Sequence, residues 1–240
     1  QMHQLEPVLT RRLLILLTVD ILLVSLIGYW ANDWKDRAID RINRPNRFLV
    51  RYPISPLVFA GLLTSLTIAV LFLTYRIAQM TNNLDKIWIL PVFVGGLGVY
   101  ALWLKRFKPI GNVVVSLLIA SILFLLLTAE WPNIQALPST SMQTLMYQSA
   151  LVVSILFLAN WCREIVKDLE DEHGDTLNGV RSLQTLLGAQ KIRHILIVQI
   201  SLTLALNILL MDQLAHGIVA MIISILSSGF LVFILYRFAF

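Results

Sequence analysis

The sequence predicts an all-α protein, a bundle of membrane-spanning helices. Three observations predict it. Of 240 residues, 58% are hydrophobic and only 14% are charged, against roughly 45–50% and about 25% in an ordinary soluble domain. The apolar residues gather into uninterrupted runs near the ~20 residues that a spanning helix needs. The basic residues fall almost entirely between alternate pairs of those runs, as the positive-inside rule requires.

Seven segments qualify as spans: 12–31, 56–78, 87–104, 111–129, 145–163, 192–211 and 214–236. Their Leu, Ile and Val content and their length argue for helix, and the alternating pattern of a membrane barrel is absent. The first run is too long for a secretory signal and passes directly into a charged motif, so it reads as a span. The third contains Gly95-Gly96-Leu97-Gly98, read as close helix packing and not as a phosphate loop. Between the fourth and fifth runs, residues 130–144 are rich in Pro, Ser and Thr and read as a surface loop. The fifth run ends beside Cys162, the sole cysteine. A lone cysteine excludes an internal disulfide and reads as a small packing residue.

With the segment after the first run on the cytoplasmic side, fifteen of the nineteen Lys and Arg residues lie on that side, and only Arg11, Arg12, Arg76 and Lys86 lie opposite. This asymmetry accounts for the net charge of +5 and the pI near 9.6 without a nucleic-acid partner. Trp34, Trp103, Trp131 and Trp161 lie near run ends, where interfacial anchors belong. The long, charged loops are cytoplasmic, and the chemistry is expected there.

Two segments carry that chemistry: Asn32-Asp33-Trp34-Lys35-Asp36-Arg37-Ala38-Ile39-Asp40 and Asp168-Leu169-Glu170-Asp171-Glu172-His173-Gly174-Asp175. Each contains D-x-x-D-x-x-x-D at the cytoplasmic exit of a run, so the pair looks like an internal repeat. On a helix, Asp33, Asp36 and Asp40 fall within an arc of about 60°. Asp168, Asp171 and Asp175 do the same if helix continues through Gly174. Two carboxylates ~6 Å apart repel by roughly 3 kcal/mol at an effective dielectric near 20, and a helix C-terminus is the wrong end of the dipole for them. Such an arrangement calls for a cation. All-oxygen ligands suit hard ions, above all Mg²⁺, which also binds substrate phosphates. The expected use is two carboxylate clusters sharing Mg²⁺ with one diphosphate. Arg37, Arg41, Arg44 and Arg47 follow the first cluster, Arg163 and Lys167 precede the second, and Tyr100, Lys105, Arg106 and Lys108 form a third group on the same face. Such cations would clamp the excess charge of a diphosphate.

A cation transporter is the alternative from another class. Its acidic residues should lie near the midplane, whereas these clusters lie at one face. Asp20, in the middle of the first run, is the exception and reads as a helix-packing residue. His173, within the second cluster, reads as a bystander.

The segment Asn32–Asp40, continuing as Arg41-Ile42-Asn43-Arg44-Pro45, resembles the first signature of the UbiA superfamily of intramembrane prenyltransferases. The segment from Arg163 through Asp175, with Asn178-Gly179-Val180-Arg181-Ser182-Leu183 and Leu187-Gly188 after it, resembles the second. Tyr100 to Lys105, and on to Gly111-Asn112, resembles a family loop that contacts diphosphate. The resemblance covers essentially the whole chain. It implies one domain over 1–240, a helix bundle around a central cavity, and nine spans in the complete fold, with a first and a last helix lacking here. It implies Mg²⁺-dependent transfer of a prenyl group from an isoprenyl diphosphate to a lipophilic acceptor, at a site facing the cytoplasm. Metal ligands would be Asn32, Asp33, Asp36, Asp40, Asp168, Asp171 and Asp175. Asp36, Asp40, Asp171 and Asp175 would be catalytic. Asn32, Arg41, Arg44, Tyr100, Lys105, Arg106 and Lys167 would bind substrate. The Arg163–Asp171 and Asp40–Pro45 stretches look most like the branch that acts on geranylgeranylglyceryl phosphate; aromatic acceptors of the quinone or chlorophyll pathways are the competitor.

Overall fold

The computed structural model of the chain describes residues 9–43, 45–81, 108–177 and 182–213, together with positions 92, 95, 96, 179 and 229. The expected spans 87–104 and 214–236 fall almost entirely outside the described residues. The described elements are all helical: α1 (Arg11–Asn43), α2 (Phe48–Arg51), α3 (Pro56–Met80), α4 (Lys108–Ala120), α5 (Ile122–Ala129), α6 (Trp131–Gln135), α7 (Ser139–Glu170), α8 (Glu172–Leu177), α9 (Leu183–Leu187) and α10 (Ala189–Gln213). Five segments are long and apolar enough to cross a bilayer: Arg11–Ala38, Pro56–Met80, Pro109–Ala129, Ser139–Glu170 and Ala189–Gln213. These match the other five runs read from the sequence. Leu22, Leu57, Ile68, Phe72, Val198 and Ile208, all on these segments, are each at least 61% exposed, which suits a chain whose outer solvent is lipid.

Two expectations are corrected. The stretch 130–144 is not a plain loop: Trp131–Gln135 is helical and α7 has begun by Ser139. Proline explains the misreading. Pro132 lies at the first helical positions of α6 and Pro138 caps α7, both sites where a missing N–H costs nothing. The run 111–129 is also interrupted, at Ser121, whose hydroxyl donates to the Leu118 carbonyl (2.8 Å); such local bonds compete with the helical ladder.

The chain folds as two compact units, residues 1–105 with 124–137 and residues 106–123 with 138–240. In the first, α1 packs along α3. Leu17, Val24 and Ile27 form an apolar stripe on α1 around Val70 of α3, with the three- and four-residue spacing of a buried helix face. Asp20 belongs to the same stripe. It is fully buried and accepts a hydrogen bond from Thr74 Oγ1 (2.8 Å), an inter-helix polar contact of the kind that membrane bundles use. Two turns beyond Ile27 on the same face, Trp34 stacks on Phe59 of α3, ring centroids 4.0 Å apart and 7° from parallel. The Arg37 guanidinium lies 3.2 Å from the indole centroid, so Trp34 is enclosed by packing and is not a free interfacial anchor. Helix α3 starts where the sequence says it should: Ser55 caps it by accepting from Val58 N (3.3 Å), with Pro56 as the first helical residue. At the other end of this unit, Glu130 accepts from Leu9 N (2.6 Å) and from Asn133 Nδ2 (2.8 Å).

In the second unit α7 packs against both α4 and α10. Its stripe Leu151, Leu158, Cys162 and Ile165 is buried, and Cys162 and Ile165 share a core with Ile192, Leu196 and Ile200 of α10. A reciprocal capping box starts α9: Thr185 N donates to Ser182 Oγ (3.3 Å) and Ser182 N to Thr185 Oγ1 (3.0 Å). Gly188 then turns the chain into α10 at φ +79°, ψ 157°, a conformation only glycine adopts without strain.

Candidate functional site

Helices α1 and α7 are longer than a bilayer is thick. Their 33 and 32 residues rise ~50 Å at 1.5 Å each, against a hydrocarbon core of about 30 Å. The surplus turns carry the two acidic motifs.

The first cluster lies on uninterrupted helix, as expected. Trp34 faces α3, and at 100° per residue Asp33, Asp36 and Asp40 lie about 100–160° around α1 from it. Asp36 and Asp40 are 8% and 2% exposed. Asn32 Nδ2 donates to Asp36 Oδ2 (3.3 Å). Among the described residues, Arg47 pairs with this cluster. Its Nη1 donates to both oxygens of Asp40 (3.0 and 2.9 Å), and its Nη2 lies 2.9 Å from Asp33 Oδ1. Asp33 and Asp40 are seven residues apart, two helical turns on one face, so a single guanidinium fork spans both. The turn at Pro45-Asn46 brings Arg47 back over the end of α1. Burial pushes the Asp40 carboxyl above its ordinary value, assisted by the charges of Asp36 and Asp33 and opposed by Arg47. Burial works against the charge of Arg47, but Asp33, Asp40 and Asp36 outweigh it and hold the guanidinium above its usual range.

Sequence reasoning gave Arg47 no role of its own and assigned substrate contacts to Arg41 and Arg44. Arg41 is exposed. Arg44, Tyr100, Lys105 and Arg106 lie outside the described residues. Arg37, also near the cluster, is occupied by Trp34: its Nε donates to the Trp34 carbonyl (2.8 Å).

The second cluster departs from the expected geometry. Helix α7 ends at Glu170, and Asp171 is its C-cap at φ −89°, ψ 1°; Asp175 belongs to the separate short helix α8. The condition for one shared carboxylate face, helix running on through Gly174, is therefore not met. Asp168 and Asp171 are 4% and 5% exposed. Asp168 continues the buried stripe of α7 at Ile165 + 3, which is why a charged residue is packed inside. Asn112 of α4 meets it there: Nδ2 donates to Asp168 Oδ2 at 2.7 Å, and Asn112 is 2% exposed. One turn along α4, Ser116 Oγ donates to the Asn112 carbonyl (2.6 Å) and accepts from Asn160 Nδ2 of α7 (3.1 Å). The pairs 112/168 and 116/160 run in opposite senses, so α4 and α7 are antiparallel here. Asn112 was read only as part of a loop; its four-residue spacing from Ser116 was the available signal. Lys167, expected to bind substrate, is half-buried in the last turn of α7, and Arg163 pairs with Glu164.

The donors of both clusters are oxygens, carboxylates with the amides of Asn32 and Asn112 nearby, and Asp171 sits at a helix C-terminus where the dipole disfavours negative charge. Both features suit a hard divalent cation. Among the described residues no three His, Cys, Asp or Glu side chains are gathered so as to hold a metal ion on their own. Water and substrate oxygens would complete the shell, the usual habit of Mg²⁺.

Spanning helices with acidic C-terminal overhangs define an integral, multi-pass α-helical membrane protein. Comparison with known proteins makes the class specific. The model of the UbiA prenyltransferase family matches residues 4–240, and the chain belongs to that family. It is similar to the digeranylgeranylglyceryl phosphate synthases of Methanoculleus marisnigri (31% identity over 180 residues, 74% of this chain and 58% of the relative) and Methanothrix thermoacetophila (34% over 172 residues, 71% and 57%). The chain thus spans somewhat under three fifths of the length of these relatives. A solved structure described as giving structural and mechanistic insights into the biosynthesis of digeranylgeranylglyceryl phosphate synthase in membranes aligns with a TM-score of 0.60 at 27% identity, over 94% of this chain and 73% of that one.

Proposed function

We propose that this protein transfers a prenyl group from an isoprenyl diphosphate to the hydroxyl of a lipophilic acceptor, geranylgeranylglyceryl phosphate, on the cytoplasmic face of the membrane and with Mg²⁺. The observation that carries the reading is the burial of Asp36, Asp40, Asp168 and Asp171 at the outer ends of apolar helices, in a chain of this family. Buried carboxylates call for positive charge beside them, which Mg²⁺ would supply together with neighbouring cations such as Arg47. The names of the similar synthases support the acceptor, and the basic asymmetry supports the cytoplasmic side.

In this reading Asn32, Asp33, Asp36, Asp40, Asp168, Asp171 and Asp175 would hold Mg²⁺. When bound, Mg²⁺ supplies neutralisation of the diphosphate leaving group. Lys105, Arg106 and Lys167 add positive charge to the same oxygens. The prenyl carbon–oxygen bond breaks with its electron pair on the diphosphate. The acceptor oxygen bonds to the allylic carbon and its proton passes to a carboxylate. Asp40 and Asp175, the last carboxylate of each motif, are the two residues expected to take that proton. Apolar helix faces keep water from the allylic centre, where it would give an alcohol instead.

The test is incubation of membranes carrying the protein with labelled geranylgeranyl diphosphate and either geranylgeranylglyceryl phosphate or an aromatic acceptor, with Mg²⁺ or with EDTA. Metal-dependent ether formation is expected. Asp36→Ala and Asp171→Ala should each lower the rate at least ~10²-fold in protein that remains folded. Undiminished transfer in both variants would refute the reading, and a labelled aromatic product would reassign the acceptor.

A further inference from the structure

We infer that Arg47 is an internal counter-ion for the first acidic cluster, one that a divalent metal must displace, so that the cluster is kept from loading metal until a diphosphate offers the guanidinium another anion. The inference rests on the proposed metal-dependent function. It concerns when the metal enters and not whether it does.

The geometry makes the case. Arg47 donates to both oxygens of Asp40 and reaches Asp33 with its other arm, all between 2.9 and 3.0 Å. A two-armed guanidinium fork on carboxylates is among the strongest polar contacts available to a protein. It covers the two outer members of the D-x-x-D-x-x-x-D motif and leaves Asp36 between them. A metal cannot take the same carboxylate oxygens without weakening these bonds. Nor can Arg47 stay beside the ion without like-charge repulsion. The two states therefore compete, chiefly for Asp40, since Arg47 reaches Asp33 through Oδ1 alone.

The setting favours exchange. Arg47 is not built into the core: its side chain is 26% exposed, and it sits in extended backbone (φ −64°, ψ 142°) as the residue preceding α2, after a turn. By contrast Arg37 is stacked on Trp34, and Arg41 is exposed. Arg47 can withdraw from the carboxylates with a change of side-chain torsions alone. A diphosphate arriving with the ion gives the freed guanidinium a bidentate partner of the same kind. Diphosphate and metal then bind with positive coupling, each removing an obstacle to the other. The carboxylates would never stand uncompensated, with Arg47 neutralising them before loading and the ion afterwards.

The experiment is a titration of the purified full-length chain with Mn²⁺ alone, following the free-ion EPR signal, in wild type, Arg47→Gln and Arg47→Lys, each also carrying Asp171→Asn so that the first cluster is what is measured. Arg47→Gln is expected to bind Mn²⁺ about tenfold more tightly than its parent in the absence of diphosphate. Arg47→Lys keeps the charge but loses the fork and should fall between them. It also serves as the folded control if Arg47→Gln is unstable. Equal or weaker Mn²⁺ binding in both variants, with binding in the parent still abolished by Asp36→Asn, overturns the counter-ion role while sparing the metal site. Absence of Mn²⁺ binding in every protein, the unmodified wild type with geranylgeranyl diphosphate included, overturns both this inference and the functional reading beneath it.

Discussion

Removing the Asn112 amide should loosen Asp168 by a measurable and specific amount. The bond is short (2.7 Å), its acceptor is a carboxylate, and donor and acceptor are 2% and 4% exposed, so solvent screening is small. Hydrogen bonds to charged groups contribute ~1.5–3 kcal/mol, and burial places this one in the upper part of that range. Asn112→Ala leaves a buried carboxylate short of a donor; Asp168→Ala leaves a buried amide short of an acceptor. Each single change therefore overstates the bond, and a double-mutant cycle is needed to isolate it. The assay is reversible unfolding of the metal-free protein in mixed micelles, for wild type, both single variants and the double variant. The expected coupling is about 2.5 kcal/mol, with the double variant less destabilised than the sum of the singles. Strict additivity, to within about 0.5 kcal/mol, would mean that Asn112 does not support Asp168 and would refute the antiparallel polar pairing of α4 with α7.

Two further stability effects follow from the fold. Thr74→Val keeps the shape of the side chain but removes the donor to fully buried Asp20; a loss of ~1–3 kcal/mol is expected in the same unfolding assay, and no loss would show that the contact does not hold α1 to α3. Gly188→Ala forces a side chain into φ +79°, ψ 157° and should cost ~1–3 kcal/mol, read as faster hydrogen exchange across α9 and the start of α10; unchanged exchange would mean the junction can relax.

Much of the fold was legible because lipid imposes simple rules. Run length and composition located the five described spans to within a few residues at most ends. They failed at the start of α7, where Pro138 and the Ser-Thr-Ser that follows read as loop although they open a helix. They failed again at Ser121, where one hydroxyl interrupts a uniformly apolar run. The candidate site was legible as residue types and not as geometry. Spacing found Asp33, Asp36 and Asp40 on one face because α1 runs on through them. It left the second cluster conditional on helix running through Gly174, and the break at Asp171 depends on backbone beyond it, which periodicity does not report. Nor could it tell which arginine meets the carboxylates. Arg37, Arg41 and Arg47 look equivalent in sequence, and only the turn at Pro45-Asn46 and the stacking of Trp34 on Phe59 distinguish which of them reaches the carboxylates.

The ~20 Å by which α1 and α7 outrun the hydrocarbon ties the acidic ends to membrane thickness. A thicker bilayer would draw those turns toward the headgroups, and a thinner one would leave them standing further into the aqueous phase or tilt the helices to compensate. The depth at which the aspartates meet their ligand is thus set partly by lipid composition, a variable outside the polypeptide that a cell can adjust without altering a single residue.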